Sequence, residues 1–548
     1  MIRVGMLAAL CACAATFPAQ SRAQEATIAQ QLAEFRARID SLERENAELR
    51  QAIIMPEGAR YAALAPPPLP APAPGGPQLD QATNGSSPSE PWTPSEPWAP
   101  PISESLDSDC EACDSQQPSG HVIGSDLSMT AEWKHGMELA TKNRDFRVHA
   151  GGRTQFDVGW FDADPNVQDN INTPYENGAD FRRARLRVDG TMYGFIEWAA
   201  EYDFVNAIRV DGVDRTVTAP TDLWVILNDM PMGDVRIGNQ KPAIGFEHLV
   251  SSRFLPFMER SYNQDSFYGG AYNGFWPGIS VFETYGDDDE GTWNLGLFKP
   301  TDNVFAASAH DGDFATVARS TKLLWYCDEG ANLLHVGGSV MQQKAVAGRT
   351  IFRTRDAIRT GLAPSWPVPA TTGQIGGNDM QWLNGELAAV NGPWTFQAEY
   401  LASYLTDAAP IVGNVIQPAQ GDVLYHGGYA QVFYFLTGEH DNYDKLLGVF
   451  TRVTPNENFF VGRDECGDVT GGGIGAWQIG ARYNYLDLND NGFNGGILHN
   501  GTLGLNWFLN PNMKFQFDFM TTHRDAPLAG DLGDGWVYGW GSRWAMDF

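Results

Sequence analysis

The chain has 548 residues, 12% of them aromatic, with 59 glycines and 67 acidic against 37 basic side chains, a formal net charge of -30. No nucleic-acid partner is expected of so acidic a chain, since partner phosphates call for cations. Beyond the first twenty residues no apolar run reaches the roughly 18 residues of a membrane helix, so a helical membrane protein is excluded too.

Residues 1–23 read as a secretory signal: Arg3, an apolar stretch from Val4 to Phe17, then small residues ending at Ala23. From 25 to 55 apolar residues step by four and three, through Ile28, Leu32, Phe35, Ile39 and Leu42 to Leu49 and Ile53, with Asn46 at a core position. That is a short coiled coil with a register-fixing asparagine, self-associating as a dimer or a trimer. Residues 56–120 are rich in Pro, Ala, Ser and acid ("APPPLPAPAPGGP", "SEPWTPSEPW") and cannot bury a core. They read as a disordered tether, extending at about 3.1 Å per residue. Within it Cys110 and Cys113 suit a small loop disulfide better than a zinc site, since no second pair follows at ligand spacing. No metal and no cofactor is expected.

After a lead-in at 121–145, the region 146–548 alternates with period two. Strand-like runs start near Phe146, Phe181, Phe195, Asp222, Asp234, Gly278, Thr292 and Ala315. Further runs start near Ala331, Gln381, Trp394, Gly428, Ala476, Thr502, Met513 and Trp536. Short turns such as Asp229–Gly233 and Asn510–Asn512 alternate with longer connections at 162–180, 205–221, 241–277, 344–380, 405–427 and 487–501. This is the pattern of an all-β fold, a sixteen-stranded antiparallel transmembrane barrel. The final strand carries Trp536, Tyr538, Trp540, Trp544, Met546 and Phe548 on one face, which suits lipid and would invite aggregation in water. One segment resists the pattern: 438–475 falls on the short-turn side yet is too long for a turn, so a strand assignment there is open to doubt.

Charge placed on the lipid face near the midplane costs about 2–4 kcal/mol for Arg or Lys, so the polar face of each strand must line water. Alternation puts Arg147 and Arg153 on that face in the first strand, Arg183, Arg185 and Arg187 in the second, and Arg236 in the fifth. Glu197, Glu201 and Asp203 face the same way in the third. The arginines form either a track guiding anions, since a guanidinium fork suits phosphate and carboxylate oxygens, or the cationic half of pairs across the hairpin. The connection 241–277 carries Lys241, His248, Arg253, Glu259 and Arg260 and either folds inward to narrow the pore or lies outside as a lid. "DLNDNG" at 487–492 begins like a calcium loop but has Leu498 where a glutamate is needed, so it reads as a turn. No Ser/His/Asp set falls on neighbouring strand ends, so a barrel enzyme is not expected.

The segments "DFRRARLRVDGTMYGFIEWAAEYDF" (180–204), "IGNQKPAIGFEHLVSSRFLPFMERS" (237–261), "GYAQVFYFLTGEH" (428–440), "GAWQIGARYNYLDLND" (475–490) and "LGLNWFLNPNMKFQFDF" (503–519) resemble the phosphate-selective porin O and P family. The resemblance runs through nearly all of 146–548 and implies a passive outer-membrane channel, homotrimeric, in which arginines of "FRRAR" belong to an anion-guiding ladder. Arg182, Arg183 and Arg185 match that segment, although strict alternation would point Arg182 away from the other two. The expected function is therefore diffusion of small hydrophilic solutes, with inorganic anions preferred. The alternative is a general or weakly cation-preferring pore that also tethers the cell wall through its periplasmic coiled coil.

Overall fold

The structure is a computed structural model that describes residues 121–548 apart from 172, 211–212, 270–273, 302–313, 461 and 527–532. The expected signal, coiled coil and tether lie outside the described residues. Sixteen strands make the wall: β1 (Arg147–Ala163), β2 (Gly178–Met192), β3 (Ile196–Val210), β4 (Val213–Leu227), β5 (Asp234–Gln240) and β6 (Trp276–Tyr285). They continue as β7 (Gly291–Phe298), β8 (Ala315–Cys327), β9 (Asn332–Lys344), β10 (Asp379–Asn391) and β11 (Trp394–Ala408). β12 (Gly421–Phe435), β13 (Ala476–Asp490), β14 (Phe493–Asn510), β15 (Met513–Asp525) and β16 (Gly535–Asp547) complete it.

Each strand pairs antiparallel with the next, and β16 pairs back onto β1 from Val537 against Ala163 to Asp547 against Arg153. Closure removes every wall edge, the condition for a sheet to cross a bilayer. Phe548 completes the seam: Gly152 donates its N–H to the Phe548 carbonyl at 2.6 Å and Phe548 donates to Gly152 at 3.1 Å. A Cβ at Gly151 would collide with the Phe548 carbonyl, which explains the glycine pair there. At the foot of β1 a lead-in hairpin, Met129–Trp133 and Met137–Thr141, continues the sheet below the C-terminus.

The alternation sorts the two faces. Trp160, Leu186, Tyr202, Leu295, Leu383, Leu503, Trp540 and Trp544 are exposed on the outside, whereas Arg153, Asp157, Glu201, Gln397, Asn506 and Arg543 are buried within. Trp477, Trp507, Phe515 and Trp544 stack across β13 to β16 with ring centres 5.1, 5.9 and 6.4 Å apart, forming part of an aromatic girdle.

All sixteen expected strands are present, and two expected loops are strand instead. β3 runs on to Val210 and β4 begins at Val213, and β13 and β14 run on to Asn491-Gly492, so most of 205–221 and 487–501 is strand. Beyond the lipid a hairpin can be polar on both faces, which hides it from a search for apolar alternation. Asn491 and Gly492 have φ of 46° and 83°, the left-handed pair that a tight hairpin turn requires. The strand assignment around 438–475 holds as well. The connection 436–475 does lie at the short-turn end, and its first part, as far as Val453, packs up into the barrel while 462–473 stays largely exposed. Val449 and Phe450 are buried there against Phe246, Val250, Leu255, Leu323 and Leu333. Arg319 of β8 secures them, donating to the carbonyls of Leu447 at 2.8 Å and Gly448 at 2.9 Å while pairing with Glu386 at 2.8 Å.

Candidate conduction pathway

Residues 241–269 of this connection fold inward, settling the choice between constriction and lid. Gly245, with φ of 72°, turns the chain across the lumen. The next two backbone N–H groups, of Phe246 and Glu247, donate to the Glu399 carboxylate of β11 at 2.8 and 2.7 Å. Further along, Arg482 reaches Glu247 at 3.3 Å, Lys514 the Leu255 carbonyl at 2.7 Å, Asn506 the Pro256 carbonyl at 2.8 Å, and Asp518 accepts from Met258 N–H at 2.8 Å. Arg153 of β1 closes the arc on Ser252 at 2.7 Å. The loop is thus bound to the wall from β11 round to β1, and with the 436–475 insert it fills that side of the barrel.

What stays open is a cavity of about 930 Å³ between the loop, β1 to β5 and the connection between β9 and β10. Eleven arginines and one lysine line it against six carboxylates, a local surplus of positive charge inside a chain of net charge -30. With a Debye length of about 8 Å, the acidic exterior is screened from groups this deep.

The strand arginines are largely paired. Arg185 meets Asp203 at 2.7 Å and Glu201 at 3.0 Å, Arg153 meets Glu201 at 2.5 Å, and Arg187 meets Asp189 at 2.9 Å and Asp222 at 3.4 Å. Arg147 lies apart at the foot of β1, tied to Asp189 at 3.0 Å and to Glu138 of the lead-in hairpin at 3.4 Å. Glu197 sits opposite Thr191 rather than an arginine and accepts from Asn228 at 3.1 Å. Arg182 does face the lumen: β1 passes from Gln155 opposite Arg183 to Phe156 opposite Phe181, leaving Arg182 as the extra residue of a β-bulge. A bulge re-aims one side chain, so "FRRAR" turns both of its adjacent arginines inward.

Glu259 of the constriction loop gathers them. It accepts from Arg182 at 2.7 and 3.0 Å and from Arg543 at 2.9 Å, with Arg183 and Arg359 each at 3.7 Å. Burial acts to raise the pKa of this carboxyl, yet the surrounding guanidiniums, Arg182 and Arg359 foremost, hold it well below the usual carboxylate range.

Lys241 and Arg260 make no ion pair within 4.0 Å among the described residues, although Glu247 and Glu259 are the nearest charges to favour the Arg260 cation. Lys241 donates to the carbonyls of His248 at 2.6 Å and Val250 at 3.3 Å, and Arg260 to those of Glu247 at 2.9 Å and Val250 at 2.6 Å. Burial first, and then the Arg260 charge, push the Lys241 ammonium well below its usual range, a cost that a bound anion would relieve. Of the other loop candidates, Arg253 lies 3.6 Å from Asp547 and 4.0 Å from Glu201, and His248 hydrogen-bonds Gln264 at 2.7 Å.

The connection between β9 and β10 adds groups that sequence reading missed. Arg353, Arg355 and Arg359 line the cavity, and the guanidiniums of Arg182, Arg355 and Arg359 lie 4.4, 5.3 and 5.4 Å from the centre of the Trp366 ring. Buried Asp356 holds this segment inward by accepting from Tyr175 and Tyr262 at 2.8 Å and from Thr522 at 2.9 Å. The spacing of "RTRDAIR" at 353–359 was the available signal.

The pairing of Arg185 gives an expected result. Arg185→Ala should free Asp203 and lower the anion/cation permeability ratio, and Arg185→Ala with Asp203→Asn should restore most of it, as read from zero-current potentials. The single change should also weaken the barrel by roughly 3 kcal/mol, the lower end of what breaking a buried pair costs, seen as earlier loss of heat-modifiable gel mobility.

A closed sixteen-stranded barrel with a loop drawn in across its lumen is a channel of the outer-membrane type. The chain belongs to the phosphate-selective porin O and P family, which matches residues 148–527. It is similar to porin O of Pseudomonas aeruginosa, 26% identical over 78% of this chain and 95% of that protein. An uncharacterised protein of Caulobacter vibrioides is 28% identical over 76% of each chain. Among solved structures, an anion-selective porin from Comamonas acidovorans is 11% identical with a TM-score of 0.41, covering 74% of this chain and all of that one. The family places the barrel in the outer membrane; short turns face the periplasm in barrels of this type, and the 436–475 insert lies at that same end.

Proposed function

We propose that this porin is a homotrimeric passive channel that prefers anions, oxyanions such as phosphate among them. The observation that carries this is the Lys241–Arg260 pair at the constriction, two basic side chains held by carbonyls and in no ion pair within 4.0 Å among the described residues. The arginine-rich wall supports it as an approach whose charges are mostly balanced, so that an anion is guided without being trapped. We further infer that residues 1–23 are removed on export. The coiled coil at 25–55, on its 56–120 tether, then stands in the periplasm, where it reinforces the trimer and reaches the cell wall.

Uptake into proteoliposomes tests the reading. Phosphate should enter faster than a cation or a sugar of similar size, and Lys241→Gln with Arg260→Gln should abolish that advantage while sugar entry persists. Equal rates for all three solutes in the unmodified channel would overturn it.

A further inference from the structure

Arg236 differs from the other lumen guanidiniums of β1 and β2. Arg153, Arg183, Arg185 and Arg187 each lie within 4.0 Å of a carboxylate. Among the described residues Arg236 has neither an ion pair nor a side-chain hydrogen bond, and its Nε is buried without a partner. Its guanidinium instead lies over two aromatic rings from the strands on either side, with the Trp224 centre at 4.9 Å and the Phe282 centre at 4.7 Å. Trp224 is itself fixed by donating its indole N–H to Asp222 at 3.2 Å.

Position along the pore adds a second observation. Arg236 is two residues into β5 from its periplasmic end at Asp234, whereas Lys241 follows the last residue of the same strand. Five residues of strand separate them by about 16 Å, so Arg236 lies on the periplasmic side of the constriction while lining the same cavity.

A guanidinium packed against two rings and left without an ion pair still has its N–H edge to offer, and a compact oxyanion can take that fork with parallel hydrogen bonds. The aromatic clamp fixes the fork in advance, which reduces the entropy lost when an anion binds. We propose that Arg236, clamped between Trp224 and Phe282, is a second oxyanion site on the periplasmic side of the constriction. It acts in series with Lys241 and Arg260 and makes anion passage depend on direction. This rests on the anion-preferring reading above. An anion leaving the loop pair meets a partnerless guanidinium further on, and two sites in series let each arriving ion displace the one ahead.

Single full-length channels in planar bilayers test this through chloride current, with inorganic phosphate added to one side and then the other, and acetate as a carboxylate probe. The unmodified channel should be blocked at different concentrations from its two sides. Arg236→Gln should raise the half-blocking concentration about tenfold from one side only, the loss expected for a charged hydrogen bond, and so remove the asymmetry. Trp224→Leu with Phe282→Leu, which keeps the charge but frees the fork, should give a smaller loss on the same side. One-sided loss with phosphate alone marks a phosphoryl site, and with both probes a general oxyanion site; either supports the proposal. Equal shifts from both sides, or none, in a variant that remains heat-modifiable would overturn it. A cation-preferring unmodified channel would instead overturn the reading on which it rests.

Discussion

Glu259→Gln should make the channel hold anions more tightly and pass them more slowly. The carboxylate of Glu259 occupies the meeting point of four guanidiniums, those of Arg182, Arg183, Arg359 and Arg543. It stands where an oxyanion crossing the constriction would find its best partners, and so acts as a built-in competitor. Gln keeps the shape and removes the charge. A unit charge at 4 Å is worth about 4 kcal/mol at an effective dielectric of about 20. Even a third of that, after screening by pore water, should lower the half-blocking phosphate concentration by about tenfold. The anion/cation permeability ratio should rise as well. Stability should fall, because Glu259 also ties the loop to β2 and β16, and an earlier thermal transition would report it. Unchanged block would mean that these guanidiniums are closed to passing ions and serve only to anchor the loop.

Replacing 439–473 by a two-residue turn should open a second route through the barrel. That insert covers the periplasmic side of the constriction loop, with Phe450 5.0 Å from Phe246 in edge-to-face contact. It is latched by Arg452, which reaches Asp547 and the Pro511 carbonyl, and by Asp441, which accepts from Thr395 at 2.6 Å. The uncovered wall bears Glu386, whose partner Arg319 also holds the carbonyls of Leu447 and Gly448. Conductance should at least about double and anion preference should decline, since the new path bypasses the arginine-lined cavity and its field. Val449 and Phe450 each contribute about 1.5–3 kcal/mol of apolar burial, so the variant should lose its compact gel form at lower temperature. Unaltered conductance in correctly inserted protein would place the insert outside any potential ion path.

The barrel was legible because its solvent changes across the wall: lipid outside and water inside force a period of two on every strand, and both the count and the order follow from it. The constriction loop was legible in composition, though not in direction. Direction depends on contacts with distant strands, such as Glu399 with Phe246, which no local pattern encodes. The same holds for Asp356, whose partners Tyr175, Tyr262 and Thr522 lie 181, 94 and 166 residues away and draw Arg355 and Arg359 into the lumen. Arg182 was misplaced for a different reason. A bulge is a property of two paired strands, and strict alternation along one of them cannot show it. Glu197 illustrates the reverse: it has the right face and the right charge, but its position along β3 leaves it opposite Thr191. The 436–475 insert announced itself as a conflict between parity and length, and its inward fold resolves that conflict.

The central claim, that the lumen favours anions although the chain is strongly acidic, is tested most directly by the zero-current potential across a bilayer separating about tenfold different potassium chloride concentrations, both high enough to screen exterior charge. Chloride moving ahead of potassium should make the dilute side negative, and Lys241→Gln with Arg260→Gln should bring the potential towards zero. A dilute side that turns positive in the unmodified channel would show that the acidic residues govern permeation and would contradict the account.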